Sequence, residues 1–179
     1  MLTKKNNDIV NKYVIGSKFE TNLVNNLNVF RPKDSYLLRN INLYSERLKK
    51  YIEIDILLIT TNGIYCIESK FVSSSIVGDM KDRMWFVYNA YGSNRIYNPY
   101  IQNTEHLRCL KQYLRKGGYS TNNIQNVIVV PDKAEINTDC SLVRRSKDWL
   151  FSIAKDLVVK ENKIDVDRVY RILEEFEVI

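Results

Sequence analysis

The sequence predicts a mixed α/β (α+β) fold, in which helices flank a β-sheet of about four strands. Two observations support this prediction. Apolar residues recur at helical spacing near the start, the middle and the end of the chain, and they alternate or run continuously in between. The resulting order is αβββαβ plus C-terminal helices. A chain of 179 residues, 45% of them hydrophobic, can form one core, so residues 1–179 are expected to be a single domain.

The first helix is expected from about Asn6 to Leu27, because its apolar residues share one face. These residues are Ile9, Tyr13, Phe19, Leu23, Val24 and Leu27. Strands are expected over 35–44, 50–59 and 63–71, where apolar and polar residues alternate, and a shorter strand over 84–89.

The second helix is expected to begin at Asn98, which can cap it, with Pro99 in the first helical position. It should end at Gly117–Gly118. The continuous apolar run over 124–130 is typical of a buried central strand. Two further helices are expected over 146–159 and 165–176.

Composition favours an intracellular protein. The three cysteines lack the spacing of a zinc site or a disulfide framework, which fits a reducing compartment. The N-terminus has no apolar signal region, and no apolar run is long enough to cross a bilayer. We therefore expect a cytoplasmic protein with no membrane partner. The net charge of +6 and the basic segment 31–50 fit nucleic acid and an ordinary solvated face equally well.

The pair Asn62–Gly63 predicts a tight hairpin turn with a two-residue loop. In that register Asp55 lies opposite Lys70 and diagonal to Glu68, and the three charged side chains project from one face. The carboxylates of Asp55 and Glu68 would then lie about 7–8 Å apart. The opposite face is apolar and is expected to pack into the core: Ile54, Ile56, Leu58 and Ile67.

These residue types fit phosphodiester hydrolysis. Two carboxylates and a backbone carbonyl suffice for Mg²⁺, which usually keeps several waters. The bound ion would acidify a water and stabilise phosphoryl charge, while a lysine orients that water, helps to deprotonate it or neutralises the transition state. The alternative is an exposed Asp55–Lys70 ion pair, contributing about 0.2–1 kcal/mol, with Glu68 merely solvated.

Beyond these three residues, five segments resemble the nuclease-related domain (NERD) family, a branch of the PD-(D/E)XK nuclease superfamily. In order they are GSKFETNLVNNL, IEIDILLITTNGIYCIESK, IVGDMKDRMWFV, NPYIQNTEHLRCL and NVIVVP. They cover about residues 16–131, a NERD-like nuclease core, and leave 132–179 as a C-terminal helical extension. The resemblance implies a restriction-endonuclease-like fold with a mixed four-stranded sheet.

The resemblance also assigns roles. It implies that Asp55 and Glu68 bind metal together with the Ser69 backbone carbonyl, and that Lys70 is the catalytic lysine. It matches Glu20 to an acidic group near the metal, and Gln102 to a glutamine that bonds the lysine or a phosphate. Without the family, both would be ordinary helix side chains. His106, the only histidine, is expected on a helix surface.

The resulting prediction is a Mg²⁺-dependent (endo)nuclease, with Mn²⁺ as the other ion considered, that acts on DNA. RNA stays open as a substrate, and so do the strandedness of the substrate and the mode of cutting. Two alternatives from other classes are a non-catalytic nucleic-acid-binding domain and a protein-interaction module. Because this superfamily often dimerises to cut both strands, a homodimer is also left open.

Overall fold

A computed structural model describes residues 4–89, 92–158, 161, 163–176 and 178–179, with side chains described from Val14 onward. The four expected helices are confirmed within these residues. They are α1 (Lys4–Phe30), α2 (Pro99–Lys116), α3 (Ser146–Val158) and α4 (Val166–Glu175). The side chains of Ile9 and Tyr13, and the expected helix end at residue 159, lie outside the described part of the chain.

The strands of the described residues form two sheets. They are β1 (Tyr36–Ser45), β2 (Lys50–Ile59), β3 (Ile64–Ser69), β4 (Ser75–Val77), β5 (Met84–Asn89), β6 (Gly92–Tyr97), β7 (Ile124–Val130), β8 (Glu135–Asn137) and β9 (Val143–Arg145). The central sheet has the order β1-β2-β3-β7-β9, and the second sheet has the order β6-β5-β4-β8. Because β2 pairs antiparallel with β3 while β7 pairs parallel with it, the central sheet is mixed, as predicted.

The sheets contain more strands than the sequence predicts. The central sheet has five strands rather than about four, because β9 adds to β7 in parallel. The second sheet was not expected, apart from its strand β5. Three of the missed strands (β4, β8 and β9) have only three residues each, too few to show an alternating pattern. The fourth, β6, is almost entirely exposed and therefore carries little apolar signal.

Helices cover both faces of the central sheet. On one face α2 and α4 pack against it, and Leu110 and Leu173 belong to that core cluster. On the other face α1 and α3 contribute Leu27 and Trp149 to a second cluster. The second sheet packs Trp85 of β5 against β7 in a third cluster. The result is a helix–sheet–helix sandwich with a smaller sheet beside it, consistent with a restriction-endonuclease-like fold.

The predicted register of the hairpin is wrong by two residues. Ile59 rather than Thr61 pairs with Ile64, so the loop comprises residues 60–63. Neither Asn62 nor Gly63 has the positive φ that a type I′ turn requires. Instead the Thr60 hydroxyl accepts hydrogen bonds from the N–H groups of Asn62 and Gly63, each at 3.2 Å. Tertiary contacts also hold the loop, since Asn62 Nδ2 donates to Asp156 O of α3 at 2.6 Å.

A second departure occurs where β1 pairs with β2. The regular pairing is interrupted between Asn40 and Asp55, and Asn40 has a φ of +52°. On β2 the alternation of faces breaks at the same point. Ile54 and Leu57 both pack beneath α2 and α4, whereas Ile56 lies on the opposite face. The expectation that Ile54 shares a face with Ile56, Leu58 and Ile67 is therefore wrong, because the two faces of β2 change over at Asp55.

In the described part of the chain, no helix combines the length and the apolar character needed to cross a membrane.

Candidate active site

The two predicted metal-binding carboxylates lie where β2 and β3 separate. The last pair of their ladder is Ile56–Ile67; beyond it β2 continues beside β1, and β3 continues beside β7 as far as Ser69. The next residues on the two strands are Asp55 and Glu68. The Ser69 N–H, which has no β2 partner at this fork, donates instead to Asp55 Oδ2 at 2.8 Å. The corrected register thus places Asp55 beside Glu68 rather than opposite Lys70.

Glu68 is a fully buried carboxylate. Its side chain is 0% exposed, and among the described residues its close polar neighbours are the Lys70 ammonium at Oε1 and the His106 ring at Oε2. Burial raises the pKa of Glu68 to about 8, and the Asp55 carboxylate adds to that rise while Lys70 opposes it. The alternative of a solvated Glu68 beside a surface ion pair is wrong, because Glu68 has no contact with solvent.

Lys70 forms an ion pair with Glu68 Oε1. Its backbone N–H donates to Val129 O of β7 at 2.9 Å, which fixes the Lys70 backbone directly after the end of β3. Burial lowers the pKa of Lys70, but the carboxylates of Glu68 and Asp55 raise it more, so the pKa lies above its ordinary value. The Lys70 amine is therefore a cation at neutral pH.

Asp55 is partly buried, and its carboxylate accepts a hydrogen bond from the Ser69 N–H. Burial raises the pKa of its carboxyl group, against the opposing effects of Lys70 and of the Ser69 hydrogen bond. Glu20 of α1 also raises the pKa values of Asp55 and Glu68, which places its charge close to both. A salt bridge of 2.7 Å between Glu20 Oε1 and Arg39 Nη2 holds Glu20 there. The predicted Glu20 thus lies at the rim of the site, paired with an arginine of β1.

The expectation that His106 lies on a helix surface is wrong. Its side chain is buried, and Nδ1 lies 3.4 Å from Glu68 Oε2. Burial and the Lys70 cation lower the pKa of His106 to about 4, so the ring is neutral at pH 7. A signal for this position was present in the sequence. His106 precedes the core residues Leu110 and Leu114 by four and eight residues, which places all three on one helix stripe.

A buried amide fixes α2 to the sheet. Asn103 Nδ2 donates to Cys66 O of β3 at 3.0 Å and to Asn126 Oδ1 of β7 at 2.7 Å. Sequence reasoning did not single out this residue. Gln102, the residue before Asn103, is partly buried. It lies one turn before His106 and therefore on the face of α2 that carries His106, which contacts Glu68. Among the described residues, no hydrogen bond joins the Gln102 side chain to Lys70.

The donor set fits a hard divalent cation. Burial imposes a large desolvation cost on both carboxylates, and a cation bound between Asp55 and Glu68 would offset it. Within the described residues, no three His, Cys, Asp or Glu side chains lie close enough together to bind one ion. An ion here would therefore complete its shell with backbone carbonyl and water, as Mg²⁺ commonly does.

The sequence of the chain matches a known protein family. The family profile described as "Nuclease-related domain" (NERD) matches residues 15–131, well over half of the chain. The chain belongs to the NERD family. An uncharacterized protein of Bacillus anthracis, pXO1-01, is 26% identical over 111 residues, which are 59% of this chain and 50% of that protein. This chain thus covers about half the length of that relative. No solved structure gives a significant match.

Membership of the NERD family indicates a nuclease-related function. The match includes the strand fork with Asp55 and Glu68, and it ends at Pro131, directly after β7. β8, β9, α3 and α4 lie beyond it, although they contribute core residues such as Val143, Trp149 and Leu173.

Proposed function

We propose that this NERD protein is a Mg²⁺-dependent nuclease, also able to use Mn²⁺, that hydrolyses phosphodiester bonds in DNA. One observation carries the proposal. The Glu68 carboxylate is fully buried beside Asp55 at a strand fork, and the Lys70 cation is paired with it. A protein rarely keeps such a group in its interior without a ligand or a catalytic role.

Asp55, Glu68 and the Ser69 carbonyl would hold the ion. When bound, it would supply a coordinated water of lowered pKa and a Lewis acid for a phosphoryl oxygen. Lys70 is cationic, so its contribution is to orient the phosphate and neutralise charge in the pentavalent transition state rather than to act as a base. Neutral His106 can donate from Nδ1 to Glu68 Oε2 and so hold the carboxylate in position.

DNA as the substrate is supported by charge. The net charge of +6 suits a polyanion and would supply affinity for phosphates that does not depend on sequence. Since that affinity is shared by RNA, both nucleic acids belong in the test.

The experiment compares cleavage of linear, supercoiled and single-stranded DNA, and of RNA, in Mg²⁺, Mn²⁺ or EDTA. We expect metal-dependent cutting of DNA by the wild type and a loss of at least about a hundredfold in Lys70→Ala, because a charge that stabilises the transition state is removed. Lys116→Ala is the matched control, since Lys116 forms a surface ion pair with Glu46 at 2.8 Å, and it should cut normally.

Two results would contradict the proposal. Unchanged cutting by a folded Lys70→Ala variant would remove the site assignment. Salt-sensitive binding of DNA by a wild-type protein that does not cut in either metal would support a non-catalytic binding domain instead. Circular dichroism of each variant establishes that the fold is intact.

A further inference from the structure

One face of the second sheet carries three aromatic side chains that are partly exposed. Cross-strand partners of an antiparallel pair share a face. Phe86 pairs with Arg95, Tyr88 with Ser93, and Met84 with Tyr97, so all six side chains project from the same side of β5 and β6. The other side carries Trp85 and Ile96, which belong to the core. We call Phe86, Tyr88, Tyr97 and Arg95 the aromatic face.

Each ring of the aromatic face is partly open to solvent. Phe86, Tyr88 and Tyr97 are 38%, 41% and 45% exposed. Phe86 and Tyr88 are two residues apart on one strand, about 6.6 Å, which leaves room for a separate planar group on each ring. Three neighbouring exposed aromatic side chains on one sheet face are uncommon for a surface that only meets water.

The charges at this face favour an anionic partner. Arg95 lies directly opposite Phe86 in the register. None of the six side chains on this side of β5 and β6 is acidic. Arg83, exposed, immediately precedes β5 at the Tyr97 end and follows the exposed Asp82, so the net charge of the face itself comes from Arg95. The acidic Glu135 lies on β8, at the opposite edge of the sheet and separated from β5 by β4.

We propose that the aromatic face binds single-stranded DNA, with unpaired bases stacked on Phe86, Tyr88 and Tyr97 and the phosphates near Arg95. Aromatic side chains accept any base, because every base has a π-face, and sheet surfaces bind unpaired strands in this way. A duplex keeps its bases stacked on one another and cannot use the rings.

A second copy of this chain fits the face less well. A symmetric contact of the face with itself would join two faces that each carry Arg95 and no acidic side chain. Like net charge on both sides of an interface is unfavourable. A DNA strand instead pairs the same arginine with phosphates.

The position of the face suits a substrate of the proposed nuclease, and to that extent the inference rests on the proposed function. β4 begins five residues after Lys70, and β6 ends five residues before Gln102. The sheet that carries the aromatic face is therefore joined directly to both elements that lead into the candidate active site. A strand held on the face would make unpaired DNA the preferred substrate.

The test measures binding in EDTA, so that no cleavage can occur. The probes are a fluorescent 15-nucleotide DNA strand, its duplex, an RNA strand and a DNA strand with abasic sites that keeps the phosphates. We expect the wild type to bind the intact single strand more tightly than the duplex or the abasic strand. Phe86→Ala/Tyr88→Ala should lose affinity for the intact strand about tenfold for each ring, and little for the abasic strand.

Control variants separate stacking from folding. Phe86→Tyr and Tyr88→Phe keep the rings and should keep the affinity. Phe151→Ala removes a ring that is 66% exposed on α3 and should bind normally. Equal binding of single strand and duplex, or unchanged binding by the double variant, would overturn the proposal. So would tighter binding of RNA than of DNA, or a wild-type dimer that the double variant converts to monomers.

The two proposals fail in different ways. Lys70→Ala should lose cutting but still prefer the intact single strand to the duplex and the abasic strand, whereas the aromatic double variant should lose that preference in EDTA. If the wild type cuts no substrate but binds the single strand through the rings, the nuclease proposal fails and the aromatic face stands. If it cuts DNA with unchanged efficiency after Phe86→Ala/Tyr88→Ala and binds duplex as well as single strand, the aromatic face is overturned.

Discussion

Glu68 is a fully buried ionisable residue, and its protonation state decides whether it can bind a cation. A carboxylate with no contact with solvent is costly to ionise even beside Lys70, and its pKa is raised to about 8. The same group must lose its proton before it can bind a cation. Metal binding and protonation therefore compete at this one side chain.

This competition predicts a pH-dependent affinity for the ion. Below about pH 8 the apparent affinity for Mn²⁺ or Mg²⁺ should fall about tenfold for each pH unit, because one proton must be released on binding. Above pH 8 the affinity should level off. Calorimetric titration between pH 6 and pH 9 measures both limits.

Two variants sharpen that measurement. Glu68→Gln should abolish binding, because the amide cannot supply a charged ligand. Glu46→Gln changes an exposed glutamate that pairs with Lys116, and it should leave the profile unchanged. An affinity that stays constant from pH 6 to pH 9 would mean that Glu68 is not the ligand.

Among the elements, α2 connects the site to the rest of the fold. Its N-cap, Asn98, is fully buried, and its side chain both accepts and donates hydrogen bonds. Its Oδ1 accepts from Tyr100 N at 2.8 Å, while its Nδ2 donates to Asp82 O at 2.6 Å and Met80 O at 3.2 Å. The cap therefore fixes both the start of α2 and the turn that leads into β5.

Asn98→Ala should consequently cost more than the loss of an ordinary cap. We expect the free energy of unfolding to fall by about 2–4 kcal/mol, because two interactions are lost together. The helix loses its N-cap, and the buried carbonyls of the turn lose their donor. Asp165 is a suitable reference, since it is the exposed N-cap of α4 and accepts from Arg168 N at 3.1 Å. Asp165→Ala should cost about 1 kcal/mol.

Urea unfolding of the two variants, followed by circular dichroism, gives both values. Losses of equal size would show that donation by Asn98 to the turn adds nothing to stability.

In the molecule as a whole, the elements that follow the family match belong to the same hydrophobic clusters as the elements within it. Trp149 and Ile153 of α3 pack with Leu23 and Leu27 of α1, and α4 packs against α2 and β2. Gly117, at the end of α2, leaves room for Ile172 of α4, which lies 2.6 Å from where a Cβ would be. We therefore expect residues 1–179 to unfold as one cooperative unit.

The two tryptophans test this expectation, because Trp85 lies in the cluster of the second sheet and Trp149 lies in the cluster between α3 and α1. Trp149→Phe leaves Trp85 as the only indole, and Trp85→Phe leaves Trp149. In each variant the midpoint of urea unfolding from tryptophan fluorescence should equal that from far-ultraviolet circular dichroism. A fluorescence midpoint displaced from the dichroism midpoint would reveal two separately folding parts.

Much of the fold and part of the candidate site follow from local patterns. Asn98 followed by Pro99 predicts where α2 begins, and the apolar run over 124–130 predicts β7 at its observed bounds. Asp55, Glu68 and Lys70 could be picked out because charged residues stand out within apolar strands. The second sheet was largely missed, since short strands with one solvent-facing side carry little periodic signal.

Spacing along the chain was enough to predict the order of the main elements, the family and the residue types of the candidate site. The register of the hairpin depends instead on tertiary contacts, because those from α3 replace the turn that Asn62–Gly63 favours. Tertiary packing also buries His106 against Glu68 and leaves the rings of β5 and β6 partly exposed. Both outcomes depend on which surfaces meet in space, and local spacing does not specify that.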